Sequence, residues 1–280
     1  MAHMQRKGIT VSGRLEKDNL TVYTRCGKII LRSATSEMPR SRTREQFIAR
    51  QRVARNANLW KALRASGDCL FAGGNTAYAR FCSLMRKMPE VFMTKETYRG
   101  FGALLMPGMP VSDGILPDIG YRWGEVEGEP AIVTSIRVAT PLPHTATGTD
   151  MVRALCGRDG RWKGGDALRL YTLVQTVESM IPKVHIRMEE AVLAHGESNW
   201  RFADLEPRTV EGRLALVGST VGETNRGWAL IQRRGAISSS QTVMTHSTLY
   251  EQYTTEIALQ QAAESYGGLT GQLFLTPGKG

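Results

Sequence analysis

The sequence predicts an α+β protein: an N-terminal β-hairpin and helical hairpin, then a mainly antiparallel β sheet or sandwich with a C-terminal helix. Three observations carry that expectation. Residues 43–64 contain no proline or glycine, room for about six turns of helix. Beyond residue 130, apolar side chains recur at every second position, the period of a strand. The loops between those runs are too short to hold crossover helices, so neighbouring strands are expected to be antiparallel.

Taken in order, Leu20-Thr21-Val22-Tyr23 and Ile29-Ile30-Leu31 flank the polar stretch Thr24–Lys28 with its glycine, Gly27, which reads as a β-hairpin. Met38-Pro39-Arg40-Ser41 breaks the chain. Ser41 or Thr43 can cap the helix that follows, with Glu45 and Gln46 in its first turn. The apolar residues of that helix, Phe47, Ile48, Val53, Leu59, Trp60 and Leu63, do not gather into one stripe. Arg44, Arg50, Arg52, Arg55 and Lys61 fall between them. Two readings fit: a helix contacted on several sides, including by another chain, or a buried helix whose arginine stems lie along apolar neighbours. Gly73-Gly74 precedes a shorter helix over about 75–88, carrying Tyr78, Phe81, Leu84 and Met85, which Pro89 ends.

The strand pattern then takes over. Ile132, Thr134, Ile136 and Val138 alternate along one segment. Leu168, Leu170, Thr172 and Val174 do so along a second, and Val184, Ile186 and Met188 along a third. Leu214 with Leu216, and Trp228 with Leu230, mark two more. A final helix over about 254–265 stops at Tyr266-Gly267-Gly268, and the tail to Gly280 is expected to be a last strand or an extended arm. The change of period near 88–100 suggests two domains, 1–90 and 91–280.

Charge is distributed unevenly. Residues 1–87 hold 18 Lys/Arg against 5 Asp/Glu, a net of +13, whereas residues 88–280 hold 18 against 21, a net of −3. A cationic front on a near-neutral body suggests an anionic partner for the first third, either nucleic acid or acidic protein surfaces. No run approaches the roughly 18 apolar residues of a membrane span, and no membrane partner is expected. The four cysteines, Cys26, Cys69, Cys82 and Cys156, form no Cys-x-x-Cys pair, and disulfide dependence is not expected.

Catalytic signatures are missing from the sequence. It contains no Walker phosphate loop, dinucleotide fingerprint, nucleophile elbow or His-Glu-x-x-His run. His185, Arg187 and Glu189 would share one strand face, and Glu125, Glu127 and Glu129 alternate. Both sets read as solvated charges rather than as a base–acid pair or a cation site. The tryptophans at 60, 123, 162, 200 and 228 are scattered, as packing residues are. A stacking platform for single strands would interleave aromatic with basic residues, and Tyr23, Arg25, Lys28 and Arg32 come nearest to that.

Several short motifs carry a resemblance. Lys7-Gly8-Ile9, Gly13, Leu20-Thr21-Val22-Tyr23, Gly27 and Arg32-Ser33 lead into a Gln/Arg-rich helix with Arg44-Glu45-Gln46 and Arg50-Gln51-Arg52. Arg226-Gly227-Trp228-Ala229-Leu230 and Glu264-Ser265-Tyr266-Gly267 follow near the other end. This pattern, over about 100 residues, resembles structural proteins encoded by phages and prophages of gut-type bacteria; residues 90–220 are not part of the likeness. The resemblance implies a structural component of a virion or phage-tail-like particle with no enzymatic activity and no cofactor. Such a component would be found in the virion, and in the bacterial cytoplasm during assembly. Its partners would be copies of itself and other virion proteins. The residues expected to make partner contact are Tyr23, Arg25, Arg32, Arg44, Arg50, Arg52, Arg55 and Trp60. The alternative expectation is nucleic-acid binding through residues 1–87.

Overall fold

A computed structural model describes residues 13–15, 20–25 and 28–33 as backbone, and residues 43–67, 70–71, 76–156 and 160–269. Two compact units are present, 1–42 and 43–280. Cys26 and Cys69, the Gly73-Gly74 pair and the tail beyond 269 lie outside the described residues.

The first unit holds an antiparallel sheet of β1 (Gly13–Leu15), β2 (Leu20–Arg25) and β3 (Lys28–Ser33), in that order. The expected hairpin is there, with Leu20 opposite Ser33 and Arg25 opposite Lys28, and β1 extends it to a meander. Because strand residues alternate between faces, the register sorts the sequence by face. Leu15, Leu20, Val22, Ile29 and Leu31 occupy positions on one face, with Thr24 and Ser33. Arg14, Tyr23, Arg25, Lys28 and Arg32 occupy positions on the other, with Thr21 and Ile30.

The second unit begins with helix α1 (Arg44–Ala65), whose N-cap Thr43 accepts a hydrogen bond from the Gln46 amide, 3.4 Å. A two-residue strand, β4 (Leu70–Phe71), leads to α2 (Ala77–Met85) and the short α3 (Lys95–Arg99). Next come β5 (Pro110–Asp113), β6 (Tyr121–Val126), β7 (Glu129–Arg137) and α4 (Gly148–Cys156). The long hairpin β8 (Ala167–Glu178) and β9 (Ile181–Val192) follows, then β10 (Glu206–Val210), β11 (Arg213–Val217) and β12 (Arg226–Arg234). Three two-residue strands, β13 (Ile237–Ser238), β14 (Gln241–Thr242) and β15 (Met244–Thr245), precede α5 (Glu256–Ser265).

The sheet β13-β12-β8-β9 is the middle layer. Alternation along β8 and β12 gives it two apolar faces. Tyr171, Leu173, Ala229 and Ile231 join Leu59, Leu63, Phe81 and Met85 of α1 and α2 in one core. Leu168, Leu170, Trp228 and Leu230 join Ile132, Ile136, Leu214 and Leu216 of the second sheet, β10-β11-β7-β6, in another. The expected antiparallel pairing holds in both sheets. One small sheet, β14-β5-β4, contains a parallel pair between β4 and β5. Helix α5, with N-cap Thr255, closes a third cluster in which Leu259, Ala262 and Ala263 meet Phe47 and Phe92.

The packing does not divide at 88–100, where the change of period suggested a boundary; the compact units separate at 42/43. Helices α1 and α2 bury their apolar residues against the β8–β12 face, so they form a layer of the same unit as the sheet. A shift in periodicity marks a change of secondary structure, and whether the two parts share a core depends on contacts far apart in sequence. Helix α4 went unread as well, although Thr147 and Asp150 form a reciprocal cap: the Thr147 hydroxyl donates to Asp150, 2.8 Å, and accepts from the Asp150 amide, 3.3 Å.

Three hairpins turn on two residues with positive φ: Glu127-Gly128 (54°, 85°), Ser179-Met180 (51°, 64°) and Glu211-Gly212 (51°, 68°). This is the turn whose twist matches paired strands, and it favours glycine at the second position. Met180 occupies that position without glycine's freedom and is 88% exposed. Met180→Gly is therefore expected to raise the unfolding free energy by about 1 kcal/mol. A denaturation midpoint at or below that of the parent would contradict it.

Candidate functional site

Most of the residues expected to reach a partner from α1 are occupied within the second unit. The buried positions of α1 are Phe47, Gln51, Arg55, Asn56, Leu59 and Leu63, a four-residue spacing that makes one continuous stripe. The stripe is invisible to an apolar projection because three of its members are polar. Each of the three has a partner. Arg55, 1% exposed, donates to the Pro89 carbonyl (2.6 Å), the Met85 carbonyl (3.0 Å) and Asn56 Oδ1 (3.1 Å). Gln51 Oε1 accepts the Met93 amide, 3.0 Å.

The chemistry explains why an arginine sits there. Met85 is the last residue of α2, and carbonyls at a helix C-terminus have no partner within the helix and carry the negative end of its dipole. A guanidinium satisfies two carbonyl groups at once through its planar fork. Burial depresses the Arg55 pKa, and nearby Glu90 acts in the opposite sense. The side chain remains cationic, because arginine starts far above neutrality.

The neighbouring cations are similarly engaged. Arg52 Nε pairs with Glu90 Oε1 at 2.6 Å, and Arg44 Nη2 with Glu256 Oε2 of α5 at 2.7 Å. Trp60 lies among Phe71, Tyr78 and Phe81, with ring centroids 5.6, 5.5 and 5.3 Å away. Arg44, Arg52, Arg55 and Trp60 thus fasten α1 to its own unit, while the Arg44 and Arg52 side chains keep 38% and 42% of their surface exposed. Arg50 is exposed. Tyr23, Arg25 and Arg32 belong to the meander, on register positions of one face, and their side chains lie outside the described residues.

The other charged sets are paired, some at the surface and some, with Arg169 and Asp166, in the interior. His185 Nε2 lies 3.1 Å from both Glu178 Oε1 and Thr176 Oγ1, and Lys183 Nζ lies 2.5 Å from Glu178 Oε2. These contacts, the Lys183 and His185 hydrogen bonds foremost, hold the Glu178 carboxyl below its usual range. Glu189 takes the Ala203 amide at 2.7 Å and pairs with Arg187, 2.9 Å. Glu190 pairs with Arg169 and Arg233. Asp166 is buried, which alone would raise its pKa, yet the value falls because Arg234, Gln232 and the Lys163 amide donate to it. Among the described residues, no group of three or more His, Cys, Asp or Glu can hold a metal ion, and no helix is long and apolar enough to cross a membrane.

Replacing Arg55 tests its structural role. Arg55→Ala removes the donor to the Pro89 carbonyl and one of the two donors to the Met85 carbonyl, which also accepts the Met88 amide, and is expected to cost about 2 kcal/mol of stability. Arg55→Lys is expected to recover under half of that, since an ammonium lacks the fork. Equal denaturation midpoints for Arg55→Lys and the parent would show that charge alone suffices.

Comparison with known proteins returns no match: no family model, no curated protein and no solved structure is similar to this chain.

Proposed function

We propose that this protein is a structural subunit of a phage virion or phage-tail-like particle. It would act through contacts with copies of itself and other virion proteins, without catalytic activity. Synthesis and assembly would take place in the bacterial cytoplasm, and the finished subunit would reside in the virion. The observation that carries this reading is the separate N-terminal meander. Its strands of three, six and six residues place Leu15, Leu20, Val22, Ile29 and Leu31 on one face. A sheet that small cannot enclose a core of its own. Burial against neighbouring copies would supply cover for such a sheet, and repetition of one contact around a ring accumulates modest pair energies. Arg44, Arg52 and Arg55 of α1 are engaged inside their own unit, and on this reading the meander is the favoured contact element.

The expected outcome is that the full chain forms a defined oligomer in light scattering. Val22→Asp and Leu31→Asp should each shift it to monomer while the main thermal transition stays within about 2 °C, since a surface change away from the core costs little. A parent that is strictly monomeric at high concentration would overturn the proposal.

A second reading has its own observation. Register places Arg14, Arg25, Lys28 and Arg32 on the same face of the meander as Tyr23, whose own cross-strand partner is Ile30, a mix of cation and aromatic positions of the kind used to grip single strands. On that reading, binding to an oligonucleotide weakens with salt, and Arg25→Gln with Arg32→Gln together reduce the log–log slope by about 1.4 for a single strand. An unchanged slope would remove the meander from nucleic-acid contact. The meander arginines make a better test than Arg52, whose loss would also break its pair with Glu90.

A further inference from the structure

The outer face of the second sheet carries a feature that subunit contact through the meander does not use. Strands β7 and β11 pair so that Arg137 stands directly opposite Arg213. Like charges at directly opposed positions destabilise a sheet. Other cations of this region are balanced: Arg122 Nη2 lies 3.1 Å from Glu211 Oε2, and Arg208 Nη2 lies 2.8 Å from Glu206 Oε2. Arg137 and Arg213 have no carboxylate partner among the described residues. A register shift between Arg213 and Ala215 marks a bulge at this point, a device that re-aims a side chain.

Arg213 lines an open cleft of about 230 Å³, together with Gly120, Tyr121, Arg122, Val133, Thr134 and Ser135; Arg137 does not line it and is placed beside Arg213 by the strand register. The hydroxyls there differ in availability. Thr134 Oγ1 donates to the Leu214 carbonyl, 2.7 Å, and accepts from the Ile136 amide, 3.1 Å. Ser135 Oγ accepts the Gly120 amide at 3.0 Å, which leaves its proton free to donate. The cleft is small. That suits one small anion with hydration and is below the usual size of a site for a larger organic ligand.

We infer that this cleft binds a phosphate group, held by Arg213 and Arg137 with the Ser135 hydroxyl as a third donor. A carboxylate offers two oxygens and is saturated by one guanidinium fork. A phosphate offers enough oxygens to engage two forks and a hydroxyl. Its charge also offsets the repulsion that the opposed arginines otherwise impose. The source is either free phosphate or the phosphate of a nucleic-acid backbone, and the cleft belongs to residues 120–213, so the inference is independent of the meander.

The test uses the full chain and calorimetric titration with inorganic phosphate at constant ionic strength. Saturable binding in the millimolar range is expected, weakened at least tenfold in Arg137→Gln and in Arg213→Gln. It should be unchanged in Arg201→Gln, an exposed arginine elsewhere. In phosphate-free chloride buffer, Arg137→Gln and Arg213→Gln should melt at or above the parent, because the opposed charges are gone; a lower melting temperature in either variant would make these arginines structural and overturn the site. No saturable binding by the parent, or equal phosphate affinity in all three variants, overturns it too. A parallel titration with an octathymidylate assigns the source. Loss of its binding in Arg137→Gln and Arg213→Gln upholds the site as a reader of backbone phosphate, and oligonucleotide binding indifferent to them upholds it as a site for the free ion.

Discussion

The guanidinium of Arg55 at the junction of α1, α2 and the chain beyond is the contact on which the helical layer depends. A helix end buried without a partner for its carbonyls is costly, and α2 ends inside the unit at Met85. The amides of Lys87 and Met88 turn back onto the Leu84 and Met85 carbonyls, and Arg55 adds a second donor to Met85 while holding the Pro89 carbonyl, so the turn out of α2 is fixed from α1. The adjoining polar residues of α1 continue the attachment: Gln51 to Met93, Asn58 to the carbonyls of Tyr98 and Gly102, and Arg52 to Glu90. Polar groups on one helix thereby set the path of residues 85–102, which then feed Ala103, Leu104, Leu105 and Met106 into the core.

That path brings the central sheet into use on both sides. Gln175 of β8 shows the coupling: its side-chain oxygen accepts the Leu105 amide at 2.6 Å, and its amide donates to the carbonyls of Ala103 and Lys183. A buried amide with every hydrogen-bonding atom engaged locks the crossing segment to the sheet edge, which an apolar side chain cannot do. The helices, the crossing segment and β8–β12 therefore behave as one body, and the cations of α1 are structural parts of it.

The uneven charge of the chain takes on a different meaning in this light. Part of the positive excess in the first third neutralises Glu90 and Glu256 or caps a helix end within the second unit. What remains for a partner is divided between cations of the second unit such as Arg50, Arg64 and Arg86 and the meander, where a mostly apolar and a mostly basic set of register positions lie back to back. Such a two-faced element suits a subunit that must bury one side in an assembly and keep the other wet or turned toward an anion. This is the sense in which the proposed structural role and the basic composition are compatible rather than competing.

Local order was legible in the sequence because its causes are local. The uninterrupted run and Thr43 cap of α1, the alternation of Leu168–Val174 and Val184–Met188, and the glycine stop after α5 each follow from backbone preference and side-chain period. Those causes settled the α+β class and most of the long elements. Partnership was not legible. The sequence fitted a contacted or a buried α1 equally, and the partners of Arg55 and Gln51 became visible only where α2 and residues 89–93 stand beside them. Arg137 and Arg213, far apart along the chain, became neighbours only through the pairing of β7 with β11. Period and propensity are properties of a segment, whereas the partner of a charge depends on which distant segment folds against it, and only the tertiary structure decides that.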